Sequence, residues 1–176
     1  MFAVKILEWE GMALIWVFVL SFITTTIFLW IAIPYLIMNY LRKKKEIFRE
    51  KIEENTEKRL EIVRKFCDLV DKDLKEEMQN MLDDFRFALS QVDRSDIEGK
   101  IMRRFFEILD NLRNIDEWRR RVKLWELESE MKRLNDEMER LRKFHNDVVE
   151  SHNRKCKKLI FLLAVKMFNI KPMDTL

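Results

Sequence analysis

Residues 11–45 read GMALIWVFVLSFITTTIFLWIAIPYLIMNYLRKKK, an uncharged run that ends in a cluster of cations. No Asp, Glu, Lys or Arg occurs between positions 11 and 41. At about 1.5 Å per residue a helix over that run is about 46 Å long, more than the roughly 30 Å hydrocarbon core of a bilayer. One crossing is therefore expected, with its most apolar part at 12–38 and with Trp16, Trp30, Tyr35 and Tyr40 available as interfacial aromatics. Pro34 lies near one end, where a membrane helix tolerates a kink. A cleaved leader is the competing reading. Against it, residues 1–10 set Lys5 against Glu8 and Glu10, the apolar region is too long, and no A-x-A site follows.

Beyond the run the composition changes. The chain as a whole is 48% hydrophobic and 37% charged with only 2 Gly and 2 Pro, which favours long helices over a sheet with many turns. Arg42, Lys43, Lys44, Lys45, Arg49 and Lys51 outnumber Glu46 and Glu50 after the span, whereas Lys5 is the one cation before it. The positive-inside rule then places residues 1–10 outside and the remainder in the cytoplasm, anchored in the inner membrane. Arg42, Lys43, Lys44 and Lys45 form a collar suited to anionic headgroups. A net charge of +3, without a zinc-finger, helix-turn-helix or RNA-binding pattern, argues against nucleic acid as a partner. Cys67 and Cys156 fall on the reducing side, so no disulfide is expected.

After the collar, apolar residues recur every three or four positions: Phe48, Ile52, Leu60, Val63, Cys67, Val70, Leu74, Met78, Met81, Phe85 and Leu89. Asp73 with Glu76 has the spacing of a capping box, so a second helix starts near 73 or the first continues. Ser95 with Glu98 has the same spacing and predicts the start of a helix that buries Ile97, Ile101, Phe105, Ile108, Leu109 and Leu112. Asn114 and Asp116 mark a turn. The last helix carries a seam of Trp118, Val122, Trp125, Leu127, Met131, Leu134, Met138, Leu141, His145, Val148 and His152. From Leu127 the seam steps by four and three, as in a coiled coil. The earlier helices have wide apolar faces, though, and short connections favour antiparallel bundling within one chain. The expected fold is all-α: a transmembrane helix at 11–41, then an antiparallel up-and-down four-helix bundle over 42–158, then an apolar, basic-flanked segment at 159–176.

Residues 141–149, LRKFHNDVV, and then His152, Asn153, Arg154 and Lys155 resemble the signature of LemA proteins, R-F-Y-N-D-x-V-x-x-Y-N-x-K. Phe144, Asn146, Asp147, Asn153 and Lys155 match it directly. Residues 163–172, LAVKMFNIKP, are similar to the family ending L-I-A-K-L-F-G-F-K-P, and residues 58–63, KRLEIV, to its R-R-L-D-L-I segment. The likeness runs from end to end. It departs where His145 and His152 replace tyrosines, and where 157–162 lacks the family's F-P-S-N turn. The resemblance implies a single-pass membrane protein with a soluble antiparallel four-helix bundle. It implies no catalytic activity, cofactor or binding residue.

Little in the residues suggests turnover. His145 and His152 lie seven apart, about 10 Å along a helix, too far to share an ion. His152 with Cys156 supplies two ligands, which fall short of a site. A di-iron bundle needs Glu three residues before each histidine, and Arg142 and Val149 stand there. The acid pairs Asp83-Asp84, Glu76-Glu77 and Glu53-Glu54 point about 100° apart on a helix and read as solvated faces, while a phosphate loop lacks its glycines. No catalytic, cofactor or metal residue and no small-molecule substrate is expected. Asn146 and Asn153, beside the seam, either bond across the bundle or form a partner surface.

The segment 159–165 is apolar, too short to span and flanked by Arg154, Lys155, Lys157, Lys158 and Lys166. Either it caps the bundle core, or it lies in the interface with Phe161 and Lys166 against lipid beside the collar. The expected function is a scaffold or adaptor that binds a membrane protein or lipid. A regulatory or sensory subunit signalling through the first helix is the alternative, and an enzyme would need a polar pocket built around His145, His152, Thr56 and Ser129.

Overall fold

The computed structural model describes residues 2–112 and 118–175. Among them the chain is all-helical, without a strand. The helices are α1 (Phe2–Cys67), α2 (Lys72–Phe87), α3 (Gln91–Asn111), α4 (Trp118–Cys156) and α5 (Leu159–Met167). The expected turn at Asn114 and Asp116 lies outside the described residues, as do the side chains of Lys5, Glu8, Glu10 and Trp118.

α1 is one helix of 66 residues with Pro34 inside it. It is long and apolar enough to cross a membrane, and its apolar window is unburied. A helix that exposes apolar side chains on every face suits lipid, not water. The polar exceptions bond internally. Thr25 and Thr26 each donate a hydroxyl to the carbonyl four residues back, on Ser21 and Phe22, at 2.7 Å, and Thr24 donates to Leu20 at 2.9 Å. That satisfies hydroxyls for which hydrocarbon offers no partner.

α1 ends at Cys67 in a turn where the amide of Leu69 donates to the carbonyl of Phe66 at 2.9 Å, and Lys75 bridges back to Asp68 at 2.8 Å. α2 starts at Lys72 with extended Asp71 as its N-cap, so the break falls at 68–71. α3 departs further from expectation. Its N-cap is Ser90, whose hydroxyl accepts from the amide of Asp93 at 3.0 Å. Ser95 therefore lies inside α3, and Glu98 is free for another role. The α2–α3 connection is therefore at 88–90, ahead of the helix start predicted at Ser95, and Leu89 within it is exposed, not part of the stripe.

The residues divide into two compact units, Met1–Phe48 with Phe144–Leu176 and Arg49–Lys143. The Arg49–Lys143 unit has one hydrophobic cluster drawn from four helices, with Val63 and Phe66 of α1, Met78 of α2, Phe105 of α3 and Met131 and Leu134 of α4. Phe66 meets Phe105 edge to face at 4.7 Å, a favoured aromatic geometry. Along α4 the seam holds from Leu127 onward, but upstream it shifts. Leu124 is buried, while Trp125 and Val122 are exposed, because the four-and-three spacing runs back from Met131 through Leu127 to Leu124.

This unit also buries charge. Arg59 of α1 and Glu98 of α3 form an ion pair with both side chains over nine-tenths buried. Thr56 donates to Glu98 at 3.4 Å, and Arg142 stands 3.6 Å from its other oxygen. Burial pulls the Arg59 pKa down, opposed by Glu98 and reinforced by Arg142. A buried pair adds little net stability but makes loss of one member costly. Glu98→Leu is expected to destabilise the protein by about 3–5 kcal/mol, whereas Glu98→Leu with Arg59→Met recovers most of the loss. Urea unfolding of the full-length chain in micelles, followed by circular dichroism, measures both.

Candidate functional site

In the Met1–Phe48 and Phe144–Leu176 unit, the end of α4 lies against the part of α1 that follows Pro34. Phe48 and Phe144 stack with centroids 5.9 Å apart, and Met38 and Leu41 are buried along with His145, Val148, Val149 and His152. Both seam histidines are thus fully enclosed. His152 Nδ1 lies 3.4 Å from Asn153 Oδ1 and 3.7 Å from the Cys156 sulfur. Burial lowers the His152 pKa, and Arg42, Lys45 and Lys155 push it the same way against the opposing bond to Asn153. A neutral imidazole results. Burial also raises the pKa of Cys67 and Cys156, which are free thiols.

α4 stops at Cys156 and α5 begins at Leu159, with two residues between them. Lys158 turns extended, and its amide donates to the carbonyl of Lys155 at 3.0 Å. The corner is two residues long, Lys157 and Lys158. α5 ends with Asn169 in the left-handed conformation, φ 47°, and Ile170 donating back to the carbonyl of Val165 at 3.0 Å. That is a Schellman closure in which Asn serves where Gly is usual, with Pro172 just beyond. The chain turns back and meets Asn153. The Asn153 amide donates to the carbonyl of Met173 at 2.8 Å, and its oxygen accepts from the Met173 amide at 2.8 Å.

α5 is therefore held at both ends and packs on the apolar part of α1. Phe161 and Ala164 are buried, and Tyr35 and Phe168 sit with centroids 4.3 Å apart. Where the helices meet, a groove of 340 Å³ is lined by Leu29, Trp30, Ile33 and Ile37 of α1 and Ile160 and Phe161 of α5. On its outer side α5 exposes Leu159, Leu163 and Met167.

The expected site residues separate accordingly. Phe161, which one of the two readings of 159–165 set against lipid, is buried against α1 and lines the groove, while its neighbours Leu159 and Leu163 are exposed. Lys166, Arg42 and Lys43 are exposed, and Lys44 and Lys45 half-buried. Lys44 lies 5.9 Å from the ring centres of Tyr40 and Phe48, a cation–π arrangement. Asn153 pairs with the chain's own tail. Asn146 is half-buried with its oxygen 3.2 Å from His145 Nδ1. Of the acid pairs, Glu53 and Glu54 bond Arg49 and Lys58 within α1, while Glu77 takes two bonds at 2.8 Å from Arg104 of α3. Among the described residues no three His, Cys, Asp or Glu side chains converge. Sequence reasoning missed the Arg59–Glu98 pair and the Asn153–Met173 clamp. Compared with known proteins, the chain matches no family model, no curated protein and no solved structure.

Two outcomes follow from these contacts. Asn153→Ala removes both bonds to Met173, so residues 168–175 are expected to lose amide-exchange protection while α1 to α3 keep theirs. For His152 the unfolded imidazole titrates near about 6.5 and the folded one lower, so the unfolded chain binds more protons. Stability is full above about 6.5 and falls as the pH drops through the folded value. Melting temperature in micelles is expected to fall between neutral and mildly acid pH, and His152→Tyr to flatten that decline.

Proposed function

We propose that the protein is a single-pass inner-membrane protein of LemA type that acts by binding, as a scaffold or adaptor for membrane proteins or lipid. In this reading residues 11–41 span the bilayer with the N-terminus outside. α2, α3, α4 and the charged part of α1 form an antiparallel four-helix bundle in the cytoplasm, and the mechanism is positioning without turnover. The observation that carries the proposal is α5, which turns Leu159, Leu163 and Met167 outward beside the unburied apolar part of α1. A soluble surface of that kind is unfavourable, and a membrane or a membrane protein relieves it. The likeness to LemA proteins gains support from Asn169, left-handed where the family ending has Gly.

A second reading rests on the continuity of α1. One unbroken helix from Phe2 to Cys67 is suited to carrying a displacement, as in a sensory subunit. Photoreactive side chains at Leu163 and Asn146 of the full-length protein in its native membrane test the binding role. Lipid or membrane-protein adducts at Leu163 and a discrete protein adduct at Asn146 are expected. Intrachain adducts at both positions would contradict a scaffold built on these surfaces.

A further inference from the structure

Phe87, Leu89 and Val92 stand at the α2–α3 connection and are 74%, 102% and 78% exposed, more than any other large apolar side chain described in the Arg49–Lys143 unit. Two carbonyls there are already bonded. The amide of Arg94 donates to the carbonyl of Ser90 at 3.1 Å, and Arg94 Nε donates to the carbonyl of Ala88 at 3.2 Å, with its guanidinium 5.9 Å from the Phe85 ring centre. Those bonds satisfy groups that an apolar surrounding would leave unpaired. The other end of α2 is built differently. There the α1–α2 turn and the start of α2 expose Asp68, Asp71, Lys72 and Asp73, while Leu69 and Val70 pack on the core.

Two contacts decide which of these ends lies toward the apolar run. Glu98 pairs with Arg59 and Phe105 meets Phe66, each 39 residues apart, so α3 runs parallel to this part of α1. Counted back along α3, Val92 is level with Glu53 and Leu89 with Glu50. Leu41 closes the uncharged run nine residues before Glu50, about 14 Å of continuous helix, whereas Asp68 is about 40 Å beyond it. The exposed apolar end is thus the one the chain reaches first after the run. A run of about 46 Å exceeds the roughly 30 Å hydrocarbon core, and such a helix tilts. At a tilt of about 40° the 14 Å becomes about 10 Å, and a helix packed about 10 Å to the lower side comes about 6 Å nearer. What is left is about 4 Å, within a headgroup layer roughly 5–8 Å deep.

We propose that the α2–α3 connection is a second membrane-contact site, in which Phe87, Leu89 and Val92 enter the interface of the leaflet that α1 leaves near Leu41. The site is separate from α5 and rests on the reading of 11–41 as a bilayer span. A separate protein would also cover an apolar tip, but α1 tethers the bilayer within reach of this one, so contact with lipid is intramolecular in effect and needs no encounter. Inserted there, the connection selects the direction in which α1 tilts and holds the Arg49–Lys143 unit at one orientation over the membrane, with its charged end toward water.

The test uses the full-length chain, with Cys67 and Cys156 replaced by Ser, in vesicles of phosphatidylcholine and phosphatidylglycerol. An environment-sensitive fluorophore is attached through Leu89→Cys, or through Lys72→Cys at the charged end, and quenched by lipids that carry a nitroxide near the headgroup. The Leu89 probe should lose most of its emission to these lipids and the Lys72 probe almost none. Phe87→Ser with Val92→Ser should bring the Leu89 probe to the Lys72 level while helix content by circular dichroism is unchanged, because both side chains are exposed. A Leu89 probe quenched no more than the Lys72 probe would overturn the site. So would one shielded from aqueous iodide yet unquenched by lipid, the result that contact with a second copy of the chain gives. A probe at Ile27→Cys, read with lipids labelled at the acyl-chain end, separates the failures. If it too is unquenched, the span itself falls; a quenched Ile27 probe beside an unquenched Leu89 probe removes the second contact alone.

Discussion

Hydrocarbon cannot hydrogen-bond, and a helix that exposes apolar side chains on every face cannot rest in water. Both constraints act on the same stretch of α1. Its polar groups turn inward, as the threonine hydroxyls do, and its apolar side chains stay uncovered except where the chain returns to it. That return is made by α5. Everything distinctive about the C-terminal half of this unit serves to bring a short apolar helix alongside α1: the two-residue corner at 157–158, the left-handed Asn169 and the Asn153 clamp.

The clamp and the buried histidine are local consequences of the same packing. α4 lies between the collar of α1 and the returning tail, so its inner face meets cations on one side and backbone on the other. His152 stays neutral there because it is buried and because Arg42, Lys45 and Lys155 oppose a further positive charge. Asn153, one residue on, faces a free peptide group and satisfies both of its polar atoms on it. A side-chain amide is the right size to mimic a peptide, and this explains its value at that position better than an exposed binding role does.

Much of the helical architecture was legible, because periodicity needs only the chain itself. The apolar span, the stripe through Val63 and Met78 and the seam from Leu127 onward all rest on spacing. The misreadings share one cause, that a local pattern is cheaper to match than a tertiary one. Ser95 and Glu98 have capping-box spacing, yet Ser90 caps α3 and Glu98 belongs to the buried face with Ile101, Met102 and Phe105. A signal was present: Glu98 and Arg59 each fall on the apolar stripe of their helix with opposite charge. Leu124 likewise fits the seam by a seven-residue step from Met131, and Trp125 does not. The burial of Phe161 and the pairing of Asn153 with Met173 had no local signature, since both depend on where the tail returns.

The central claim is that α5 lies in the membrane's apolar zone beside the span. Nitroxide labels at Ile27 and Leu163, on a chain with Cys67 and Cys156 replaced by Ser, would measure this in bilayers through relaxation by oxygen and by a water-soluble nickel complex. The account predicts that oxygen dominates at both positions, with Leu163 shallower than Ile27. Ready access of nickel to Leu163 would place α5 in water and contradict it.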